Sequence, residues 1–259
     1  MDTKKRINQE TVNAVWRKAW EDQGAASSRA VFKHRLFIEG YPIFKRYIPQ
    51  NMRSILEIGG GSGRYGLAFA KDFPKSTVVI SDILPESLEM VKKMGSELGL
   101  RNVVMQKEDA LRLSFPDNHF DVVFADVVIQ HIPEYQEAVS EMARVLKPGG
   151  CLIISVVNAR NFHMLYKILL RILGKEYPYG YEKSFTKKEL RNVLRESDLV
   201  ISAEDGFYVA YGIYRLKYIS RIFGLFGKVC NRAVKMIDSV SGRFISRHFG
   251  FEIVIVGKK

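Results

Sequence analysis

The run Leu56-Glu57-Ile58-Gly59-Gly60-Gly61-Ser62-Gly63-Arg64-Tyr65-Gly66 constrains this chain more than any other segment. It follows a short apolar stretch and opens a helical pattern, and an acid, Asp82, stands at the end of the next apolar stretch. Glycines are needed where a strand turns tightly into a helix under a ligand, because a side chain would hold the ligand off the backbone N–H groups. A carboxylate about 20 residues further on suits a ribose diol. The pattern is that of a nucleotide-cofactor site, although Gly61-x-Gly63-x-x-Gly66 also satisfies the dinucleotide fingerprint.

From Ser54 the chain alternates strand and helix, with strands near 54–58, 77–81, 103–107, 120–126 and 151–157 and helices over 63–72, 86–98 and 134–146. Alternation of this kind builds an α/β fold, a parallel sheet covered by helices on both faces, with ligands beyond the carboxyl ends of the strands. Upstream, residues 8–47 read as helical, interrupted at Gly24-Ala25-Ala26-Ser27-Ser28 and closed by Pro49. Trp16 and Trp20 share one face there; they read as core packing, with a lid over the cofactor as the alternative. Downstream, an apolar and basic helix spans 161–173, the aromatic stretch Tyr177-Pro178-Tyr179-Gly180-Tyr181 follows, and Thr186 with Glu189 forms a capping box. The run 251–257 reads as a last strand pairing with one near 206–211, for seven in all.

Between those two lies an insertion, residues 212–250, with eight Lys/Arg and the single acid Asp238. At 100° per residue Lys217, Arg221, Lys228, Arg232 and Lys235 share a narrow arc and Ile222, Phe226, Val229, Met236 and Val240 lie across from it. This is a basic amphipathic helix, or two, since Gly224 and Gly227 weaken its middle. Its apolar face either packs on the protein or lies in a membrane interface.

With Glu57 two residues before Gly59, the loop resembles the first motif of the class I S-adenosylmethionine-dependent methyltransferases, and the resemblance continues along the chain. Val78-Val79-Ile80-Ser81-Asp82 is similar to the second strand with its ribose acid, Glu108-Asp109-Ala110 to the adenine loop, Phe120–Asp126 to the fourth strand, and Leu146-Lys147-Pro148-Gly149-Gly150 to the turn before the fifth. It covers residues 50 to 160 well and points to the small-molecule and lipid type, the UbiE-like group. The fold implied is a Rossmann-like, seven-stranded, mostly parallel sheet with the last strand antiparallel. The cofactor implied is S-adenosyl-L-methionine. Glu57, Gly59, Gly61 and Gly63 would line its methionine and ribose part, Asp82 would accept the ribose hydroxyls, Ile83 would lie against adenine, Asp109 would take the adenine amino group beside Ala110, and Asp126 would lie near the methionine amino group. His131, after the fourth strand, would border the transferable methyl and is the candidate base. The resemblance divides the chain into an N-terminal helical lid over 1–53, a cofactor core over 54–160, and the rest of the same domain over 161–259 with insertions at 161–173 and 212–250.

Charge narrows the acceptor. Residues 54–159 carry 10 Lys/Arg against 14 Asp/Glu, whereas 1–53 carry 11 against 5 and 160–259 carry 19 against 9. The basic flanks form the acceptor side and suggest an anionic surface or substrate. The Asp/Asn-Pro-Pro-Tyr motif of enzymes that methylate exocyclic nitrogen is absent, as is a Pro-Cys nucleophile, and no metal-ligand spacing occurs. Two cysteines, Cys151 and Cys230, imply no disulfide scaffold. No signal peptide and no apolar run long enough to span a bilayer is visible. The expectation is a cytoplasmic, peripheral membrane enzyme that methylates a small or lipid-linked acceptor; an RNA methyltransferase and a non-catalytic binding module with the same fold remain alternatives.

Overall fold

The structure is a computed structural model and describes residues 9–23, 32–218 and 221–259. The elements in chain order are α1 (Gln9–Gln23), α2 (Arg35–Tyr47), β1 (Ser54–Ile58), α3 (Arg64–Asp72), β2 (Thr77–Asp82), α4 (Pro85–Glu97), β3 (Val103–Lys107), β4 (Phe120–Asp126), α5 (Tyr135–Val145), β5 (Leu146–Val157), α6 (His163–Ile172), α7 (Lys187–Glu196), β6 (Val200–Phe207), α8 (Tyr211–Arg215), α9 (Arg221–Val240), α10 (Phe244–Phe249) and β7 (Glu252–Lys258). The strands form one sheet in the order β3-β2-β1-β4-β5-β7-β6. Its pairs are parallel except that β7 runs antiparallel to both β5 and β6. The expected α/β fold is therefore present.

Side chains alternate across each strand, so β1 sends Ile55 to one core and Leu56 and Ile58 to the other. On the first face α2, α3 and α4 cover the sheet, with the Phe124 ring edge-to-face to Phe44, Tyr65 and Phe69, and Phe44 edge-to-face to Tyr65. On the second, α5 and α7 bury Val139, Met142, Leu190 and Leu194. The capping box at the head of α7 is formed, Thr186 accepting from the Glu189 N–H and Glu189 from that of Thr186. Cys151 is buried in β5 and burial pushes its thiol up to about 11.

The partner of the last strand differs from expectation. β7 pairs with 200–207, from Val200↔Lys258 to Phe207↔Glu252, and not with 206–211. Phe207, Tyr208, Val209 and Ala210 are all buried, which mimics a core strand in sequence, but Tyr208 takes a left-handed φ of 57° and ends the extended backbone. α9 runs unbroken through Gly224 and Gly227, and Gly227 has a use: a Cβ there would sit 3.3 Å from the Tyr214 backbone, so its absence lets α9 lie close on α8. The apolar face of α9 does not pack on the protein, since Gly227, Asn231 and Asp238 face inward while Phe226, Val229, Met236 and Val240 are exposed. Among the described residues no helix is long and apolar enough to cross a membrane. The interruption at Gly24–Ser28 and the Trp20 side chain lie outside the described residues.

One substitution tests the packing of α3 on the sheet. A Cβ at Gly66 would stand 2.3 Å from Glu57 Oε2 and 2.6 Å from Ile80, so Gly66→Ala is expected to destabilise the fold by about 1–3 kcal/mol. The midpoint of urea unfolding reads this, and an unchanged midpoint would contradict the packing described.

Candidate active site

Strand order reverses between β1 and β4, and a cavity opens there at the carboxyl ends of β1, β2 and β4. Its walls are the loop after β1, residues 82–84 after β2, residues 108–111 after β3, residues 126–128 after β4, and Val12, Asn13 and Trp16 of α1 on the far side. Such a crevice is where open α/β sheets bind ligands.

The glycine loop is built by backbone conformation. Gly59, Gly61 and Gly63 have φ values of 62°, 52° and 69°, a region costly for any residue with a Cβ. Gly59 and Gly61 line the cavity, whereas Gly63 does not; a Cβ on Gly63 would meet Val91 at 2.7 Å, so it packs α3 against α4. Glu57 is buried beneath the loop and accepts from the Gly66 N–H at 3.0 Å, satisfying one of the free donors at the start of α3. Burial, reinforced by the charge of Asp126, raises its carboxyl to about 8, against the pull of that N–H. Glu57 is thus neutral at pH 7. A raised folded value means stability is full below the ordinary carboxylate range and falls as pH rises from about 4.5 to about 8. Glu57→Gln, isosteric with the protonated acid, is expected to remove that pH-dependent loss; urea midpoints at pH 6 and pH 8.5 check it, and an unchanged pH slope refutes it.

Asp82 ends β2 at the cavity wall and is held on all sides. Its Oδ2 accepts from the Gly61 N–H at 2.9 Å and the Ser87 hydroxyl at 3.1 Å, and its Oδ1 from the Leu84 N–H at 2.9 Å. Burial pushes its carboxyl upward while these donors oppose the shift. Ile83 lies beside it on the cavity wall. Asp109 and Ala110 line the next wall, the Asp109 carboxylate accepting from the Leu111 N–H at 2.9 Å. The acid buried in that loop is its neighbour Glu108, fixed by Gln106 and the Ser114 N–H.

Asp126, at the end of β4, lies on the same face of the sheet as Glu57. It accepts from Arg64 Nη2 at 3.1 Å and Ser155 Oγ at 2.5 Å. Glu252 of β7 is fully buried beneath it; burial, reinforced by the charge of Asp126, raises the Glu252 carboxyl well above the carboxylate range, so Glu252 holds its proton. Neither Arg64 nor Glu252 is identified from sequence. Arg64 occupies a free position of the glycine motif, and Glu252 reaches the site only because β7 inserts beside β5.

His131 lies on a 3₁₀ turn after β4, 6% exposed, on the cavity wall. Its Nδ1 is 2.7 Å from the Tyr181 carbonyl. A carbonyl only accepts, so Nδ1 carries the hydrogen and Nε2 keeps its lone pair. Burial lowers its pKa below the ordinary histidine value, against the raising effect of Glu182, and the ring is neutral at pH 7. Trp16 is not sheet-packed core: it lines the cavity, meets the His131 ring edge-on at 5.0 Å and stacks on Tyr179 at 5.8 Å. The loop carrying Tyr181 is tied down by Glu182, which takes Lys167 Nζ at 2.8 Å and the Tyr177 hydroxyl at 3.0 Å. The aromatic stretch read in the sequence thus orients the histidine. Among the described residues no group of side chains could hold a metal ion.

This topology and crevice are those of the class I S-adenosylmethionine-dependent methyltransferases, and the chemistry of the walls fits that cofactor: side-chain-free backbone at Gly59 and Gly61, a buried carboxylate at Asp82 for a diol, and apolar Ile83 and Leu111 flanking a flat ring system. Residues 56–154 match the model of the methyltransferase domain family. A demethylmenaquinone methyltransferase of Listeria welshimeri is 29% identical over 173 residues, 62% of this chain and 73% of that protein. The ubiquinone/menaquinone biosynthesis C-methyltransferase UbiE of Zymomonas mobilis is 34% identical over 139 residues, 52% of this chain and 55% of that protein. The crystal structure of the YcgJ protein from Bacillus subtilis has the same fold, with a TM-score of 0.57 at 21% identity over 84% of this chain and 96% of that one. The chain is a class I S-adenosylmethionine-dependent methyltransferase. Its cofactor is S-adenosylmethionine.

Proposed function

We propose that the chain methylates an apolar, lipid-linked acceptor of the quinol type, as a peripheral enzyme at the cytoplasmic face of a membrane, with His131 as the base. The observation that carries this reading is a cavity lining that includes Val12, Trp16 and Ile132 with a neutral histidine, whose unprotonated Nε2 accepts from the Gln130 amide at 3.4 Å. An apolar ring fits such a wall, and the relatives are named for methylating quinones. The basic, apolar insertion at 212–250 supports the membrane and the lipid tail.

In this reading Asp82 accepts the ribose hydroxyls, Gly59 and Gly61 admit the ribose and methionine to the backbone, and Gly63 shapes the turn. Ile83 flanks the adenine, with Asp109 and Ala110 at its amino edge. Asp126, fixed by Arg64, marks the methionine end, above Glu57. α1 is the lid that excludes water. When bound, S-adenosylmethionine supplies an electrophilic methyl group, and the C–S electron pair leaves with sulfur. His131 Nε2 would take the proton of the acceptor hydroxyl, raising electron density on the ring carbon that forms the new bond to the methyl group, while the Tyr181 carbonyl steadies the imidazolium through Nδ1–H. That carbon would then lose its own hydrogen as a proton, restoring the aromatic ring, and the imidazolium would return its proton to the hydroxyl oxygen. Orientation supplies most of the acceleration, for which about 7–11 kcal/mol is available. The test is turnover of a demethylated quinol with methyl-labelled cofactor: label in the organic phase supports the reading, and label confined to nucleic acid or protein in a whole extract would overturn it.

A further inference from the structure

An amphipathic helix on a globular protein turns its apolar face inward. α9 does the reverse. Its inward residues make polar contacts, Asn231 Nδ2 reaching Glu39 of α2 at 3.5 Å and Asp238 accepting from the Ile245 N–H at 2.9 Å, and at the exposed flank Lys235 Nζ pairs with the same Glu39 at 2.6 Å. Ile222, Leu225, Phe226, Val229, Met236 and Val240 point away from the protein, each more than half exposed, over an arc of roughly 100°. Phe223, on the side of α9 toward the protein, packs against the small cluster of Tyr166, Leu170 and Leu216, and α6, which supplies the first two of these, presents Leu165, Ile168 and Ile172 to solvent. Along one border of the arc Arg221, Lys228 and Arg232 are exposed. Arg221 and Lys228, with Lys217 and Tyr214, line a shallow groove whose rim carries Leu225.

Nine exposed apolar side chains gathered on two helices mark a partner, and cations along the border of an outward apolar arc suit an interfacial helix on anionic lipid. A second copy of the chain would also cover the apolar residues, but the protein carries a net charge of +12 and self-association would set the cationic borders against each other. We propose that the outward faces of α9 and α6 dock on an anionic phospholipid bilayer, with the groove at Lys217, Arg221 and Lys228 taking lipid phosphates. The inference deepens the reading of a lipid-linked acceptor above, and rests on it for its purpose.

Sedimentation of the full chain with vesicles of phosphatidylglycerol, and with vesicles of phosphatidylcholine alone, tests it. Wild type is expected to pellet with the anionic vesicles at least ten times more strongly than with the neutral ones. Phe226→Ser combined with Val229→Ser is expected to reduce that uptake at least tenfold, and Lys228→Glu with Arg232→Glu to abolish the preference for anionic lipid. Unchanged S-adenosylmethionine affinity shows that the variants are folded. Phe226→Trp gives a second measurement, with its emission expected to shift to the blue and to be quenched by brominated acyl chains. Absence of vesicle uptake, or a tryptophan untouched by the bromolipid, would overturn the proposal. So would a concentration-dependent dimer that the serine substitutions dissolve while vesicle uptake stays unchanged. Turnover of a quinol lacking its lipid tail is measured alongside: retained turnover without vesicle uptake refutes the docking alone, and uptake without turnover refutes the acceptor alone.

Discussion

Asp82→Ala is expected to weaken S-adenosylmethionine binding by roughly two orders of magnitude, from the loss of two charge-assisted hydrogen bonds worth about 1.5–3 kcal/mol each and only partly offset by relaxation. The substitution acts twice. It removes the acceptor for a diol, and it orphans the Gly61 and Leu84 N–H groups and the Ser87 hydroxyl that the carboxylate now receives. Gly61 belongs to the cofactor loop itself, so the loop loses its tether to β2. Isothermal titration with S-adenosylmethionine measures the loss. Asp82→Asn keeps one acceptor and is expected to fall between wild type and alanine; an alanine variant binding within a few-fold of wild type would remove Asp82 from the site.

His131→Ala is expected to lower kcat by about 100- to 10,000-fold, the ordinary worth of a positioned general base, while leaving cofactor affinity unchanged. The sign of the pH dependence follows from the burial of the ring. Its pKa lies below the ordinary histidine value, and a base of the proposed kind acts in its neutral form. Activity should therefore rise with pH through a midpoint below about 6.5 and stay level through neutrality. The alanine variant should lose that acidic limb. A limb that persists in His131→Ala would assign the proton to another group.

The glycine loop and the acid-bearing walls of the cavity were legible in sequence because their parts are local. A glycine run after an apolar stretch and an acid closing the next strand need no knowledge of the fold beyond strand, turn and helix. What was not legible depends on topology or direction. Glu252 meets Asp126 only because β7 enters between β5 and β6. Tyr181 orients His131 across a span that includes all of β5 and α6. Trp16 reads equally well as core or lid, since helical spacing says which residues share a face and not what that face meets. The same limit applies to α9, whose apolar arc is evident in the residues while its outward direction is set by polar contacts to Glu39 and within the Asp238 turn. The strand assigned to 206–211 failed at Tyr208, where a buried apolar run turns through a left-handed residue.

The floor beneath the cavity holds three carboxyls and one guanidinium, yet Glu57 and Glu252 retain their protons and Arg64 answers Asp126. The floor is thus close to electrically neutral, and offers little to a separated pair of ions lying above it. A sulfonium and a deprotonated acceptor hydroxyl are such a pair, and methyl transfer extinguishes both charges at once. Surroundings that solvate ions poorly raise the energy of the charged reactants more than that of the charge-dispersed transition state. The sharing of protons at the base of β4 and β7 therefore biases the crevice toward reactions that consume opposite charges.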